Sequence, residues 1–148
     1  AWMRNVQRSA LVPYSAAQMF AIVDDIESYP EFLPWCSGTT VHSRENDTVE
    51  ATVELQRGEI RKNFRTRNTS QPTESIEMAL VDGPFRHLQG KWCFSQLSDA
   101  GSKVELDLSF EFSSSVVDAV FGRFFEEICN SLVDAFRKRA DAIYGQSV

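Results

Sequence analysis

The side chains that could carry nucleophilic, acid–base or metal chemistry are few in this sequence. They are three cysteines and two histidines, namely Cys36, Cys93, Cys129, His42 and His87. The cysteines are far apart and none forms a Cys-x-x-Cys pair, so neither a disulfide framework nor a zinc site is predicted. No histidine has a cysteine or a second histidine at a ligand spacing. This cysteine usage is typical of a reducing compartment.

Catalysis by this chain would need a positioned acid or base. The candidates reduce to Tyr29, Arg86 and His87. They form no recognisable set of nucleophile, base and orienting group, and the sequence has no glycine-rich phosphate loop. We therefore predict no catalytic residues and no enzymatic activity, with His87 a strand histidine at the surface or satisfied in the core.

The strongest local concentration of charge is basic. Five of the fifteen lysines and arginines fall within eleven positions, namely Arg57, Arg61, Lys62, Arg65 and Arg67. Arg61, Arg65 and Arg67 share strand parity, so they should stand on one face of a sheet. Ile60 and Phe64 would then point to the other face. Such a strip could bind the phosphates of RNA or the headgroups of anionic lipids.

The alternative is that this strip is an ordinary solvated face whose charge is balanced by neighbouring strands. The acids available for that are Glu50, Glu54, Glu74 and Glu77. The whole chain has a net charge of −6, whereas a general nucleic-acid binder carries a basic excess. DNA is therefore not an expected partner, and any contact with RNA would depend on the local basic strip.

A third set of candidate residues is apolar and could line a pocket for a hydrophobic ligand. Its members are Phe32, Leu33, Pro34, Trp35, Phe64, Met78, Phe85, Trp92, Phe94, Phe110, Phe121, Phe125 and Ile128. The alternative is that the members on strands and helices simply fill a core. A prenylated quinone would need an apolar tunnel with few polar groups, which these side chains could provide.

The segment 26–36 gathers several of these side chains around two prolines. Pro30 and Pro34 fix their own backbone angles and restrict the residues before them, which predicts a stiff turn that is neither helix nor strand. A rigid apolar turn of this kind usually covers or lines something. We expect it to act as a lid, with Phe32 and Trp35 facing a ligand.

These residues must be positioned by a mixture of helices and strands. A helix should begin at Ser15, because Ser15 and Gln18 have the spacing of a capping box before an apolar stripe of helical period. Residues 39–112 alternate with period two, which predicts about six antiparallel strands. A long helix should follow, capped by Ser115 and ending near Gly145. The simplest packing is an α+β domain whose last helix crosses the concave face of the sheet and leaves a cavity between them.

Three segments of this sequence are those of a known family: Val23–Cys36, Gly83–Phe94, and Ala135–Ala140 with Ile143–Gly145. On these residues, and over nearly its whole length, the chain resembles the START-like helix-grip proteins. The resemblance is to their coenzyme Q-binding and ribosome-association-toxin branch, often labelled polyketide cyclase-like. It implies a START/Bet v 1-like fold of order β-α-α-β6-α, with six to seven strands wrapped around a long C-terminal helix. It adds a short second helix around Glu27 to Phe32.

The resemblance implies one domain over residues 1–148 and three alternative functions. The first is binding of ubiquinone or a related lipid, in support of respiration, with no other cofactor. The second is a bacterial toxin that binds the large ribosomal subunit and blocks subunit joining. The third is a polyketide cyclase or aromatase. The chain has no apolar stretch of bilayer-spanning length and no transit segment, so a cytoplasmic protein is expected, with the inner-membrane surface as an alternative location.

Overall fold

The computed structural model describes residues 3–145. The helices are α1 (Ala16–Asp24), α2 (Tyr29–Phe32) and α3 (Ser115–Tyr144), and a single 3₁₀ turn spans Ile26–Ser28. The strands are β1 (Arg4–Val12), β2 (Cys36–Glu45), β3 (Thr48–Arg57), β4 (Ile60–Gln71), β5 (Ser75–Asp82), β6 (Phe85–Ser98) and β7 (Gly101–Phe112). This order confirms the predicted α+β architecture, including the two short helical segments between the first and second strands.

The seven strands form one antiparallel sheet in the order β1-β7-β6-β5-β4-β3-β2. Strands that follow one another from β2 to β7 are joined by short turns and pair with each other, as the spacing of turn signals predicted. The first strand closes the order by pairing with the last. The inward side chains alternate with polar outward ones, most regularly along β7, so one face of the sheet is dry.

The entry to α1 follows the predicted capping box. The Ser15 hydroxyl accepts a hydrogen bond from the Gln18 backbone N–H at 3.0 Å, and the Gln18 side-chain oxygen accepts one from the Ser15 N–H at 2.9 Å. Two of the N–H groups that a helix start leaves unpaired are therefore satisfied. Met19, Ile22 and Val23 then bury one face of the helix.

The segment 26–36 is partly helical, which confirms the short second helix implied by the resemblance. The expectation from its two prolines, a turn that is neither helix nor strand, was wrong. Pro30 lies in the first turn of α2, where its missing N–H costs no hydrogen bond. The helix ends at Phe32, and the Leu33 N–H donates to the Tyr29 carbonyl at 3.0 Å. Pro34 follows directly and helps to stop the helix.

The long helix α3 lies across the dry face of the sheet. Its cap is Ser114, whose hydroxyl accepts from the Val117 N–H at 3.1 Å, so the predicted cap at Ser115 was wrong by one residue. The predicted end is confirmed, since the helix stops at Tyr144 and the Gly145 N–H donates to the Asp141 carbonyl. Within residues 3–145, no helix is long and apolar enough to cross a membrane. The same residues contain no group of three or more metal-ligating side chains.

Candidate ligand cavity and basic surface

A cavity of about 90 Å³ lies between α3 and the sheet, where the sequence predicted one. Its wall is almost entirely apolar and contains no charged side chain. The lining residues are Ile26, Tyr29, Trp35, Ala51, Val53, Leu55, Phe64, Thr66, Asn68, Met78, Leu88, Gly90, Trp92, Leu108, Phe125, Ile128, Cys129, Leu132 and Phe136. Every element from the 3₁₀ turn to α3 except β2 contributes to this wall.

The floor of the cavity is a row of four residues that run across neighbouring strands. Asn68 pairs with Met78, Met78 with Gly90, and Gly90 with Leu108. Gly90 has no side chain, so the row has a depression at its centre. A Cβ atom added there would lie 2.6 Å from Leu108 Cδ1 and 2.9 Å from Met78 Cε, so the ends of these two side chains lie over the glycine and would have to shift for any larger residue.

The roof of the cavity is one face of α3. Ile128, Cys129, Leu132 and Phe136 recur at helical spacing and point at the sheet. Burial raises the pKa of the Cys129 thiol well above its usual range, so this cysteine stays protonated and behaves as a small apolar side chain. The roof therefore supplies shape and an apolar surface.

The segment 26–36 closes one side of the cavity. Tyr29 lines it, and its hydroxyl donates to the Val23 carbonyl, so that polar group is already paired. Burial raises the pKa of this phenol and keeps it neutral. Trp35 also lines the cavity, whereas Phe32 packs edge-on against Phe136 at 5.5 Å between ring centroids, with the Arg139 guanidinium 4.8 Å from its ring centroid.

Six of the thirteen residues predicted to bind a ligand line this cavity. They are Trp35, Phe64, Met78, Trp92, Phe125 and Ile128. The other seven do not, namely Phe32, Leu33, Pro34, Phe85, Phe94, Phe110 and Phe121. Of the two proposed lid residues, Trp35 faces the cavity and Phe32 does not.

The seven residues away from the cavity have ordinary structural positions. Pro34 is exposed, Leu33 is buried beneath the segment, and Phe94 packs edge-on against Phe20. Phe85, Phe110 and Phe121 belong to a solid aromatic cluster under the first half of α3. Strand parity and helical spacing place them on the dry face but do not distinguish a packed region from a hollow one.

Two polar residues in the wall, Thr66 and Asn68, were not among the predicted site residues. Thr66 and Asn68 point inward from β4, and the Thr66 hydroxyl donates to Asn68 Oδ1 at 2.9 Å. Their strand parity with Phe64 was a signal that could have found them.

The predicted basic surface does not form a single free strip. Arg57 pairs with Glu127 at 2.6 Å, and its guanidinium carbon lies 4.3 Å from the Phe124 ring centroid. Arg57 is therefore held against α3, at one end of the strand pair that carries the other basic residues.

Arg65 and Arg67 stand on the outer face, and both pair with Glu50 on the adjacent strand β3. The hydrogen bond from Arg65 and the nearby positive charges lower the pKa of the Glu50 carboxyl, so it stays ionised. This arrangement is the balanced face that the sequence left open as an alternative for these two residues.

Arg61 and Lys62 differ from the other basic residues. Among residues 3–145 neither forms an ion pair, although both border a surface depression that also contains Glu54. Arg61 is exposed and Lys62 half-buried, because they lie on opposite faces of β4. Of the five residues of the predicted basic surface, these two are the ones most available to a phosphate.

The possible acid–base residues are not assembled into a reactive site. Arg86 pairs with Glu111 at 3.5 Å, and neither Arg86 nor His87 lines the cavity. Tyr29 does line it, but its hydroxyl is committed to a backbone carbonyl. The cavity wall within the described residues therefore offers shape, apolar contact and one polar pair.

A sequence profile of the family described as polyketide cyclase/dehydrase and lipid transport matches residues 12–137. This chain belongs to that family. One relative is the Ribosome association toxin RatA of Vibrio cholerae, which is 47% identical to this chain over 97% of this chain and 100% of its own length. The mitochondrial Coenzyme Q-binding protein COQ10 homolog B of Xenopus laevis is 32% identical, over 93% of this chain and 58% of its own length.

Solved structures confirm the START-like helix-grip fold. The Zhui aromatase/cyclase from Streptomyces sp. R1128 superposes with a TM-score of 0.80 over 99% of this chain and 100% of that chain, at 14% identity. A START superfamily protein from Mycobacterium smegmatis superposes with a TM-score of 0.70 over 90% of this chain and 97% of that chain, at 20% identity. At these identities the likeness concerns the fold alone.

Proposed function

We propose that this protein associates with the ribosome and acts as a translation-inhibiting toxin. The observation that supports this most is the 47% identity to the Ribosome association toxin RatA of Vibrio cholerae, over almost the whole of both chains. Following the resemblance seen in the sequence, the proposed target is the large subunit and the proposed effect is a block of subunit joining. Ribosome association would also put the protein in the cytoplasm.

Arg61 and Lys62 are the proposed phosphate contacts on the surface. They have no ion-pair partner within residues 3–145, so binding a phosphate would break no existing pair. Arg65 and Arg67 already neutralise Glu50, and Arg57 is paired with Glu127. Reversing the charges of Arg65 and Arg67 would leave the half-buried Glu50 without a partner and would disturb the fold.

The test is cosedimentation of the purified protein with large ribosomal subunits on a sucrose gradient, at two salt concentrations. The double variant Arg61→Glu/Lys62→Glu should lose most of its binding, since each neutralised phosphate adds to the salt-dependent affinity. Lys103→Glu is the matched control, because it reverses a surface charge three strands away in the sheet. Unchanged cosedimentation of the double variant would remove this surface from the proposal, and no cosedimentation of the wild type would remove ribosome association itself.

A second function is favoured by the cavity: non-catalytic binding of an uncharged hydrophobic molecule, with ubiquinone or a related lipid as the proposed ligand. Its support is an apolar, charge-free wall between α3 and the sheet. At about 90 Å³ the cavity is smaller than the roughly 300–1,000 Å³ of ligand pockets, so wall side chains must move to admit a quinone ring. Met78 and Trp35 are half-buried at the wall and are suited to such movement.

This second function is tested by mass spectrometry of the organic extract of the purified protein and by titration with a decyl-tailed ubiquinone analogue. Trp35 and Trp92 both line the cavity, so a bound quinone should quench tryptophan fluorescence in a saturable way. No extracted lipid together with no saturable quenching would end this proposal. Ribosome binding would use the surface at Arg61 and Lys62, and ligand binding would use the cavity between α3 and the sheet. Both functions can therefore belong to one protein.

A further inference from the structure

We propose that Asn68 is the residue that selects the cavity's ligand, by donating a hydrogen bond to an uncharged carbonyl oxygen on a molecule with an apolar tail. This inference rests on the second proposed function, that the cavity binds a hydrophobic molecule. It goes further in assigning the chemical group that is recognised and the residue that recognises it.

The orientation of the Asn68 amide is set by its neighbour on the same strand. Thr66 is buried, and its hydroxyl donates to Asn68 Oδ1 at 2.9 Å. The amide oxygen therefore already accepts a hydrogen bond, and the two N–H groups of Asn68 remain available to an acceptor. Within residues 3–145 the side-chain nitrogen of Asn68 makes no hydrogen bond, although the residue lines the cavity. A ligand that brings an acceptor would satisfy this donor.

The rest of the wall restricts which acceptor this can be. None of the lining side chains is charged, so a carboxylate or phosphate would enter without a counter-ion, which is strongly unfavourable in an apolar site. The Tyr29 hydroxyl donates to the Val23 carbonyl, and the Cys129 thiol is only a weak donor. The indole N–H groups of Trp35 and Trp92 also belong to the wall and can only donate. A neutral carbonyl oxygen therefore meets the Asn68 donor in a wall whose unpaired polar groups are donors, and it requires no counter-ion.

The space beside Asn68 suits a flat group. Gly90 lies two strands from Asn68 in the same cross-strand row, with only Met78 between them. Because Gly90 lacks a side chain, only the flexible ends of Met78 and Leu108 cover its backbone, and a planar ring can take their place once these ends rotate away. The tail would then run along the apolar face of α3 past Leu132. Ring, carbonyl and tail together describe a quinone-like molecule better than a plain hydrocarbon or a fatty acid.

The experiment compares two probes that carry the same tail, a decyl-tailed ubiquinone analogue and decylbenzene, by isothermal titration calorimetry in one detergent. Wild-type protein should bind the quinone more tightly. Asn68→Leu, which is close in volume and lacks the donor, should weaken quinone binding by about five- to tenfold, because one buried hydrogen bond is lost. Its affinity for decylbenzene should stay the same or rise.

Two further variants keep the outcome clear. Asn68→Ala removes the donor without adding bulk and should show the same selective loss, so a folding defect in Asn68→Leu does not end the test. Thr66→Val keeps the amide but frees its orientation and should cause a smaller loss of quinone affinity. Equal weakening of both probes by the Asn68 variants would overturn the proposal.

The failure of this inference can be told apart from the failure of the proposed function. If the wild type binds both probes with equal affinity, the cavity binds hydrophobic molecules and Asn68 selects nothing. If the wild type binds neither probe, hydrophobic binding and the inference that rests on it both fall. Thermal melting of each variant, followed by circular dichroism, shows whether a lost affinity reflects lost structure.

Discussion

The two halves of the interface between α3 and the sheet are both apolar, yet one is solid and the other is hollow. Under the first half of the helix, Phe85, Phe110, Phe112, Phe121 and Phe125 form a cluster with ring centroids 4.9 to 6.4 Å apart. We call this the aromatic end. Under the second half, the wall encloses the cavity of about 90 Å³. We call this the cavity end.

The difference comes from two successive inward rows of the sheet. At the aromatic end, Leu88 pairs with Phe110. Phe110 is completely buried in the cluster, and Leu88 is buried at its boundary, where it also lines the cavity. In the next row, Gly90 pairs with Leu108, and only the movable ends of Leu108 and Met78 lie over the glycine beside the cavity. Interiors are otherwise close-packed, so a position without a side chain is a weak point in the packing. A hydrophobic face alone therefore does not tell whether an interface is a core or a site.

The largest effect on stability should come from truncating a side chain at the aromatic end. Phe110 has no exposed surface, so Phe110→Ala should lower the free energy of unfolding by about 3–5 kcal/mol, as large aromatic truncations in tight cores do. Urea denaturation followed by circular dichroism measures this. A loss below about 1.5 kcal/mol would mean that the aromatic end is not the more tightly packed of the two.

The corresponding truncation at the cavity end should cost less. Met78 is half-buried and already borders empty space, so Met78→Ala removes fewer contacts and should lower the free energy of unfolding by about 1–2 kcal/mol. The same denaturation experiment gives the comparison directly. If Met78→Ala cost as much as Phe110→Ala, the contrast between the two ends would be wrong.

Adding a side chain at Gly90 should affect quinone binding much more than the free energy of unfolding. In Gly90→Ala the new methyl group meets the flexible ends of Leu108 and Met78, which can rotate away, and the Asp107 carbonyl oxygen at 3.3 Å. Alanine also loses less conformational freedom on folding than glycine. The free energy of unfolding should change by less than about 1 kcal/mol, while quinone-induced quenching of tryptophan fluorescence should fall by at least severalfold. Unimpaired quenching would show that the ligand does not lie over Gly90.

The smallest effect concerns pH and lies outside the interface. Arg65 lowers the pKa of Glu50 in the folded protein. The stability that this pair contributes is therefore fully present above the ordinary carboxyl pKa, and it is lost as the pH falls through the lowered pKa of Glu50. Glu50→Gln should flatten the acid side of the plot of melting temperature against pH. The difference between Phe110→Ala and Met78→Ala should not change over the same pH range, because neither end contains a titrating charge.

Much of this protein could be predicted from its sequence because the relevant signals are local. The capping box at Ser15, the alternation from β2 to β7 and the helical period of α3 each depend on neighbours a few residues apart. Segment 26–36 was harder, since Pro30 is compatible with both a turn and the first turn of a helix. The basic cluster was found, but its pairing was not, because Glu127 is far from Arg57 in sequence.

The sequence by itself determined which faces are apolar, the order of strands and helices, and which family the chain resembles. The tertiary structure decided where that apolar surface is filled and where it is empty. Phe110 and Leu108 have the same parity on β7, yet one is in the aromatic cluster and the other lines the cavity. That distinction depends on the surrounding residues: the rings of Phe85 and Phe125 pack against Phe110, whereas Leu108 lies opposite Gly90. Both are properties of chain segments brought together by folding, so no local pattern records them.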